Sequence, residues 1–150
     1  MNPTRQTHTV EIAGLERKLP LFEVAPGIRI AVFNMLGDTE FVQACASALA
    51  EQLSPVSYDV LVTAEAKSIP LAHALSVETH KPYVVLRKAY KPYMGVALME
   101  ETLSITTGRP QVLYLDEKDH TLLSGKGGVL LDDVISTGST LKGMLQIMER

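Results

Sequence analysis

The amino-acid sequence predicts an α/β domain with a mainly parallel central sheet that is flanked by helices. Segments of strand length alternate along the chain with segments of helical periodicity, a pattern typical of parallel α/β folds. The strand segments are nearly continuous apolar runs, as expected for strands that are covered on both faces. At 150 residues, the chain is long enough for a single domain with one hydrophobic core.

The N-terminal segment, residues 1–35, has the pattern of short strands. Hydrophobicity alternates loosely over 8–14 and clearly over 28–33. Pro20 and the pair Pro26–Gly27 are expected to interrupt these strands, because proline cannot donate a backbone hydrogen bond. The segment is therefore predicted to be rich in β-structure.

The first long helix is expected to begin near Asp38, whose side chain can cap it. Apolar residues recur every four positions from Phe41 to Leu53 and form one face. Cys45 is the single cysteine and lies on this face, so it cannot form an internal disulfide. It is predicted to be a small buried hydrophobic residue rather than a nucleophile.

Strands and helices are expected to alternate through the rest of the chain. The predicted elements are a strand over 58–64, a helix from Ser68 or Ile69 to about Thr79, a strand over 82–88, strands over 111–116 and 128–133 with a charged turn between them, and a helix from about Ser139. Residues 89–110 have no clean period and are interpreted as a long excursion with strand pieces near 103–107. The helical pattern still continues at Arg150, so the C-terminus is expected to be truncated.

Composition and charge narrow the classes of function. The net charge of −3 offers no electrostatic basis for nucleic-acid binding. No apolar run approaches the roughly 18 residues that a membrane span requires, and the N-terminus lacks the apolar region of a secretory signal. We therefore expect a cytoplasmic protein without a membrane or nucleic-acid partner.

The segment 128–140, GVLLDDVISTGST, carries the most informative pattern. A predicted strand ends in Asp132 and Asp133, and the small, hydroxyl-rich segment 136–140 opens the last helix. Ligands of open parallel sheets bind beyond the C-terminal ends of strands, and a helix N-terminus with free N–H groups suits a phosphate. A strand–turn–helix junction without a ligand is the alternative. Nucleotide-binding loops of the types G-x-x-x-x-G-K-[ST] and G-x-G-x-x-G are absent from the sequence.

This segment resembles the phosphoribosyl-pyrophosphate (PRPP) motif of type I phosphoribosyltransferases, in which two apolar and two acidic residues precede a Thr-Gly-[Gly/Ser]-Thr loop. Ser139 stands where a second glycine is common. The resemblance implies that Asp132 and Asp133 are catalytic, facing the ribose hydroxyls and holding Mg²⁺ through water. It also implies a loop that binds the 5′-phosphate, formed by Ser136, Thr137, Gly138, Ser139 and Thr140.

Two further segments resemble the pyrophosphate side of the same family. Glu65, Ala66, Lys67 and Ser68 are similar to the pyrophosphate loop of adenine and xanthine phosphoribosyltransferases, which often contains a cis peptide. For Lys67 alone, a solvated surface turn is the alternative. The run from Arg87 and Lys88 to Lys91 is similar to the family's basic strand end, so it is expected to bind pyrophosphate, with Lys91 also taking part in catalysis. A solvated strand end is the alternative for this run.

Other segments resemble the base side and the closing loop of the family. Phe33 and Asn34 lie in a stretch similar to that of xanthine phosphoribosyltransferases, where Asn34 could meet a purine edge and Phe33 could stack on it. Core packing is the alternative for Phe33. The excursion over 92–107 matches the flexible loop that closes over the site. The resemblance also implies one domain, in which 1–35 belong to the hood over the base and the remaining residues, 36–150, form the core.

Together these resemblances imply a purine phosphoribosyltransferase, which displaces pyrophosphate from PRPP with a purine nitrogen. Adenine is the first expectation for the base, and xanthine, guanine or hypoxanthine is the second. Mg²⁺ is the expected cofactor and a homodimer the expected assembly. Glu100 or Glu101 is a candidate general base. A non-catalytic regulator that senses PRPP is the alternative from another class of function.

Overall fold

The computed structural model describes residues 5–103 and 110–150. The elements follow in the order β1 (Thr7–Ile12), β2 (Leu15–Ala25), β3 (Ile28–Ala31), α1 (Thr39–Leu53), β4 (Val60–Ala64), α2 (Ile69–Thr79), β5 (Tyr83–Leu86), β6 (Leu98–Leu103), β7 (Pro110–Leu115), α3 (His120–Leu123), β8 (Gly128–Leu131) and α4 (Ser139–Met148). Across these two ranges, every helix is too short or too polar to cross a membrane.

The central sheet is parallel, as the sequence predicted. Its strands have the order β5-β4-β8 in the described part of the chain, and β4 pairs in parallel with both neighbours. Strand β4 is buried along its whole length, which agrees with its mainly apolar sequence.

Alternate side chains of β4 point into two hydrophobic clusters, one on each face of the sheet. Leu61 packs in a cluster with Phe41 of α1 and Leu75 of α2. Val62 packs in the other cluster, which contains Met144 of α4. Helices therefore cover both faces, and the predicted α/β architecture is confirmed. The first cluster also contains the buried Cys45, as expected.

The N-terminal strands β1, β2 and β3 form an antiparallel sheet. Strand β2 runs through Pro20, so the prediction that Pro20 interrupts a strand is wrong. Thr7 pairs with Pro20 at the end of the β1 ladder, and the β3 ladder begins at the next position, where Leu21 pairs with Ala31. Proline is tolerated here because it lies where β2 changes partner, and its carbonyl still accepts a hydrogen bond from the N–H of Val32.

The excursion after β5 contains more regular structure than its sequence indicated. Strand β6 begins at Leu98 and pairs antiparallel with β7. It overlaps the expected strand pieces near 103–107 only at Leu103, and residues 104–107 fall outside the described residues. Arg87 and Tyr114 exchange backbone hydrogen bonds, which join β7 to the end of β5. The region between β7 and β8 contains a short 3₁₀ turn and the helix α3 rather than a turn alone.

Arg17 of β2 connects the N-terminal sheet to the start of α1. Its Nε lies 2.6 Å from Oδ2 of Asp38, and its Nη2 lies 2.9 Å from Oε2 of Glu40. Asp38 also caps α1 by accepting a hydrogen bond from the N–H of Phe41, as predicted. The hydrogen bond from Arg17 lowers the pKa of the Asp38 carboxyl below its ordinary value.

Replacing Arg17 with methionine tests this connection. We expect Arg17→Met to be less stable than the wild type at about pH 7, because methionine keeps apolar packing but removes the guanidinium donors to Asp38. A lowered carboxyl pKa stabilises the fold above the ordinary value and ceases to do so as the pH falls through the lowered value. Urea unfolding should therefore show a smaller difference at about pH 2.5 than at about pH 7. A difference of equal size at both pH values would contradict the prediction.

Candidate functional site

Two loops meet at one edge of the central sheet because β4 and β8 are parallel. Thr63 of β4 is in register with Leu131 of β8, so both strands end at the same level. The first loop, 65–68, leads into α2, and the second, 132–138, leads into α4. Neither helix N-terminus carries a side-chain cap. Two helix N-termini with free donors therefore lie side by side, which suits a ligand with two anionic groups.

A cleft lies between these loops and consists of two adjacent cavities. The larger cavity, about 420 Å³, is lined by residues 64–68 and by Asp132 and Asp133. The smaller one, about 200 Å³, is lined by residues 134–141. Lys88 and Asp132 line both cavities. The two predicted phosphate-binding loops and the acidic pair thus share one cleft.

The loop 136–140 has the properties of an anion site. In the described part of the chain, its backbone N–H groups have no hydrogen-bond acceptor. Gly138 has a φ of +79°, a conformation that glycine adopts without the strain that a Cβ would add, and a Cβ at this position would meet nothing within 4 Å. Hydroxyls of the loop add further donors, and Thr137 Oγ1 lies 3.2 Å from Ser139 Oγ. The loop therefore presents free donors to open space.

Asp132 and Asp133 follow β8 directly and are both half-buried. Burial and a hydrogen bond with the Asp133 side chain raise the pKa of Asp132 to about 6, while the N–H of Asp133 and the charge of Lys88 act in the opposite direction. The Asp133 N–H donates to Asp132 Oδ1 at 2.9 Å. Two carboxylates close together at a half-buried position favour a cation or hydroxyl donors as their partner.

The acidic pair fits a Mg²⁺ ion that also takes ligands from water and a bound phosphate. Within residues 5–103 and 110–150, no cluster of three or more His, Cys, Asp or Glu side chains is arranged to hold a metal. Mg²⁺ commonly takes one or two carboxylates together with water and substrate phosphates. The donor set therefore fits an ion that arrives with a phosphorylated ligand.

The loop 65–68 contains a cis peptide between Glu65 and Ala66, as the resemblance implied. The backbone N–H groups of Ala66, Lys67 and Ser68 have no acceptor among the described residues. The Ser68 side chain is different. It is 1% exposed, and its hydroxyl bonds Ala64 O at 3.0 Å. The loop can therefore offer its N–H groups and Lys67 to an anion, whereas the Ser68 hydroxyl is turned inward.

Glu65 and Arg87 form an ion pair, with Nε and Oε2 2.7 Å apart. Burial alone would raise the pKa of Glu65, but hydrogen bonds from the Lys88 N–H and from Arg87 outweigh it, so the pKa is lowered. Glu65 thus joins the ends of β4 and β5.

Lys88 lines the cleft, whereas Lys91 is exposed and lines neither cavity. Pyrophosphate binding by Glu65 and Arg87 and catalysis by Lys91 stay predictions.

The base-side residues lie beside the cleft. The ring of Phe33 packs edge-on against Phe41 at a centroid distance of 5.7 Å, and Asn34 Oδ1 accepts a hydrogen bond from the N–H of Leu36. Neither residue lines the two cavities. Lys67 Nζ lies 3.5 Å from Phe33 O, so this segment is next to the loop 65–68. Base binding by Phe33 and Asn34 stays a prediction.

Two features of the site were missed by sequence reasoning. Val134 is 49% exposed and lines both cavities, so the cleft has an apolar wall. An apolar pair, Val134 and Ile135, within a polar loop was the available signal.

Glu100, a candidate general base, forms an ion pair with Arg150 at 2.7 Å and has a side chain that is 14% exposed. Proton abstraction by Glu100 would require that ion pair to open.

Replacing Asp132 with asparagine tests the electrostatics of the cleft in the absence of added ligand. The pKa of about 6 in the folded state lies above the unfolded value of about 3.9, so ionisation of Asp132 lowers stability as the pH rises through about 6. We expect Asp132→Asn to gain about 1–2 kcal/mol relative to the wild type between about pH 4 and pH 8, after allowance for partial exposure. Urea unfolding across this range measures the gain, and a pH-independent difference would contradict it.

Comparisons with known proteins agree with this geometry. Residues 34–150 match the family described as "Phosphoribosyl transferase domain". A hypoxanthine/guanine phosphoribosyltransferase of Methanococcus vannielii is 37% identical over 92 residues, which are 61% of this chain and 46% of that protein. The purine biosynthesis transcriptional repressor PurR of Bacillus subtilis is 25% identical over 126 residues, 84% of this chain and 44% of that protein. The chain thus spans about half the length of the curated relatives it matches.

Solved structures show the same fold at low sequence identity. Adenine phosphoribosyltransferase from Saccharomyces cerevisiae, complexed with an imino-altritol bisphosphate and adenine, has a TM-score of 0.68 and 16% identity, with 96% of this chain and 76% of that chain covered. The Trypanosoma brucei enzyme, in complex with AMP, pyrophosphate and ribose-5-phosphate, has a TM-score of 0.67 and 18% identity, with 96% and 58% covered. From the family match over most of its length and from this fold, the chain belongs to the type I phosphoribosyltransferase family.

Proposed function

We propose that the chain carries the PRPP site of a purine phosphoribosyltransferase, which transfers the 5-phosphoribosyl group to a purine base and releases pyrophosphate. The observation that carries this proposal is the pair of uncapped helix N-termini, α2 and α4, on either side of Asp132 and Asp133. PRPP has an anionic group at each end of a ribose that bears hydroxyls. Its chemistry therefore matches the two anion sites and the carboxylates between them.

The proposed mechanism relies on electrostatic stabilisation and positioning. Loop 136–140 would hold the 5′-phosphate, and loop 65–68 with Lys88 would hold the departing pyrophosphate, whose negative charge grows as the bond to ribose C1′ breaks. Asp132 and Asp133 would hold the ribose hydroxyls while positive charge develops on the sugar. Mg²⁺, when bound with PRPP, would supply further neutralisation of the pyrophosphate charge. Holding sugar and base together supplies a further share of the rate.

Several finer features are part of the same proposal. Adenine is the first choice of base, supported by the likeness of the 65–68 loop to that of adenine phosphoribosyltransferases. Guanine, hypoxanthine or xanthine is the second choice. The named sequence relatives support guanine and hypoxanthine, and the stretch at Phe33 and Asn34 supports xanthine. The apolar wall at Val134 suits the flat face of any purine. We further propose one domain with residues 1–35 as the hood and 36–150 as the core, a homodimer, and a cytoplasmic location.

A PRPP-sensing regulator is the second candidate. It is supported by the likeness to a transcriptional repressor over 126 residues of the chain. Such a protein would keep the two anion sites and bind PRPP without turnover. Binding and turnover therefore have to be measured separately.

The direct test is an assay of pyrophosphate release with PRPP, Mg²⁺ and each of adenine, guanine, hypoxanthine and xanthine. We expect release with adenine first, and a fall of at least about 100-fold in kcat/KM when Asp132→Asn and Asp133→Asn are combined, because the ribose loses both carboxylates. PRPP binding measured by calorimetry without release for any base would favour the regulator. Absence of both binding and release would contradict both candidates.

The 5′-phosphate loop can be tested at Gly138. Gly138→Val would put a β-branched side chain into the open space in front of the loop, and we expect PRPP affinity to fall by at least about 100-fold. A side chain is also strained at the positive φ of this residue, so a control for strain is required. Gly125→Val is matched to it, because Gly125 has a φ of +68°, a Cβ there would also meet nothing within 4 Å, and the residue lies outside the cleft. Calorimetry should show normal PRPP affinity for Gly125→Val, and equal losses in both variants would refute the assignment.

A further inference from the structure

We propose that Thr63 and Ser68 are positioning residues, whose buried hydroxyls hold the pyrophosphate loop and the acidic pair in a fixed relation. The proposal rests on the proposed function, because it concerns the same cleft. It assigns a role to Thr63, which no motif singles out, and changes the role of Ser68 from an anion ligand to a residue that acts through the loop.

The hydroxyls form a continuous chain of contacts from one loop to the other. Ser68 Oγ lies 3.0 Å from Ala64 O and 2.7 Å from Thr63 Oγ1. Thr63 Oγ1 lies 2.9 Å from Leu131 O. Ser68 is the residue at which the loop passes into α2, and Leu131 directly precedes Asp132. The chain therefore links the end of one anion site to the start of the acidic pair.

Burial makes this chain of contacts sensitive to geometry. Thr63 is 0% exposed and Ser68 is 1% exposed, so water cannot replace a lost partner. Each hydroxyl has one proton, so Ser68 donates to Ala64 O while Thr63 donates either to Ser68 Oγ or to Leu131 O. Buried polar groups are costly when they lose a partner, so arrangements that separate the loops are disfavoured.

The sequence of β4 indicates that the Thr63 hydroxyl has a specific role. Thr63 is the one polar residue of this fully buried strand, VLVTA. Valine has nearly the same shape and would fill the site without a polar group. A threonine at this position is explained by the link to Leu131 and Ser68. Because the two loops would hold opposite ends of one ligand, a small change in their separation should affect binding of the transition state more than the fold.

The test compares Thr63→Val, Thr63→Ser and Ser68→Ala with the wild type. We expect Thr63→Val to lower kcat/KM for PRPP by about 10- to 100-fold, mainly through kcat, and Thr63→Ser to recover most of the activity because it restores the hydroxyl. Combining Thr63→Val with Ser68→Ala should cost no more than about threefold beyond the larger single effect, since both remove the same chain of contacts.

Amide hydrogen exchange without substrate gives a second, activity-independent measurement. The N–H of Glu65 bonds Leu86 O, and the N–H of Ala72 bonds Ser68 O, so these protected amides flank the loop. We expect Thr63→Val to speed their exchange by about tenfold, with little change at Val42 in α1, whose N–H bonds Asp38 O. Thr79→Val is the matched control, because it removes a threonine hydroxyl bonded to Leu75 O away from the cleft.

The outcomes separate this proposal from the proposed function. Unchanged kinetics and exchange in Thr63→Val would overturn it, and so would faster exchange that is equal at Glu65, Ala72 and Val42, which indicates a general loss of stability. A wild type that neither binds PRPP nor releases pyrophosphate would refute the proposed function, while the exchange at the loop would still decide the positioning role. If Thr63→Val does not fold, Thr63→Ser and Ser68→Ala carry the same comparison: Ser68→Ala should reproduce the local effects and Thr63→Ser should not.

Discussion

The parallel pairing of β4 with β8 is the constraint on which the site depends. Because both strands run in the same direction and end in register, each delivers its following loop and helix to the same edge of the sheet. Two helix N-termini with free N–H groups then lie next to each other. An antiparallel pairing would have put the two loops at opposite ends of the sheet, and no ligand could have reached both.

Some of the charged side chains near the cleft are already paired with one another. Backbone N–H groups therefore supply many of the donors of the candidate anion site. Arg87 is held by Glu65, and the other end of that carboxylate accepts the N–H of Lys88. Lys88 lines both cavities and its charge opposes the raised pKa of Asp132. The ion pair of Arg87 therefore stabilises the junction of β4 and β5. The two loops contribute N–H groups that have no acceptor in the described part of the protein.

The N-terminal sheet depends on a similar ion pair. Arg17 reaches from β2 to Asp38 and Glu40 at the start of α1 and lies over the ring of Phe41. The cap of α1 and the attachment of the sheet therefore use the same carboxylate.

The position of Pro20, where β2 changes partner, shows why a proline was misleading as a signal for a strand end. Its effect depends on whether a neighbouring strand needs its N–H, which is a property of the pairing.

By itself, the sequence determined those features that depend on local pattern. Apolar periodicity specified the strands and helices of the core, and the short motifs at 65–68 and 132–140 specified the two loops, because helix starts and loop chemistry are encoded by neighbouring residues. Only the tertiary structure decided which of these side chains line the candidate cleft and which are paired within the fold. The bonds between Arg87 and Glu65 and between Thr63 and Leu131 join residues 22 and 68 positions apart. Such contacts arise from strand order and register, which no local pattern encodes.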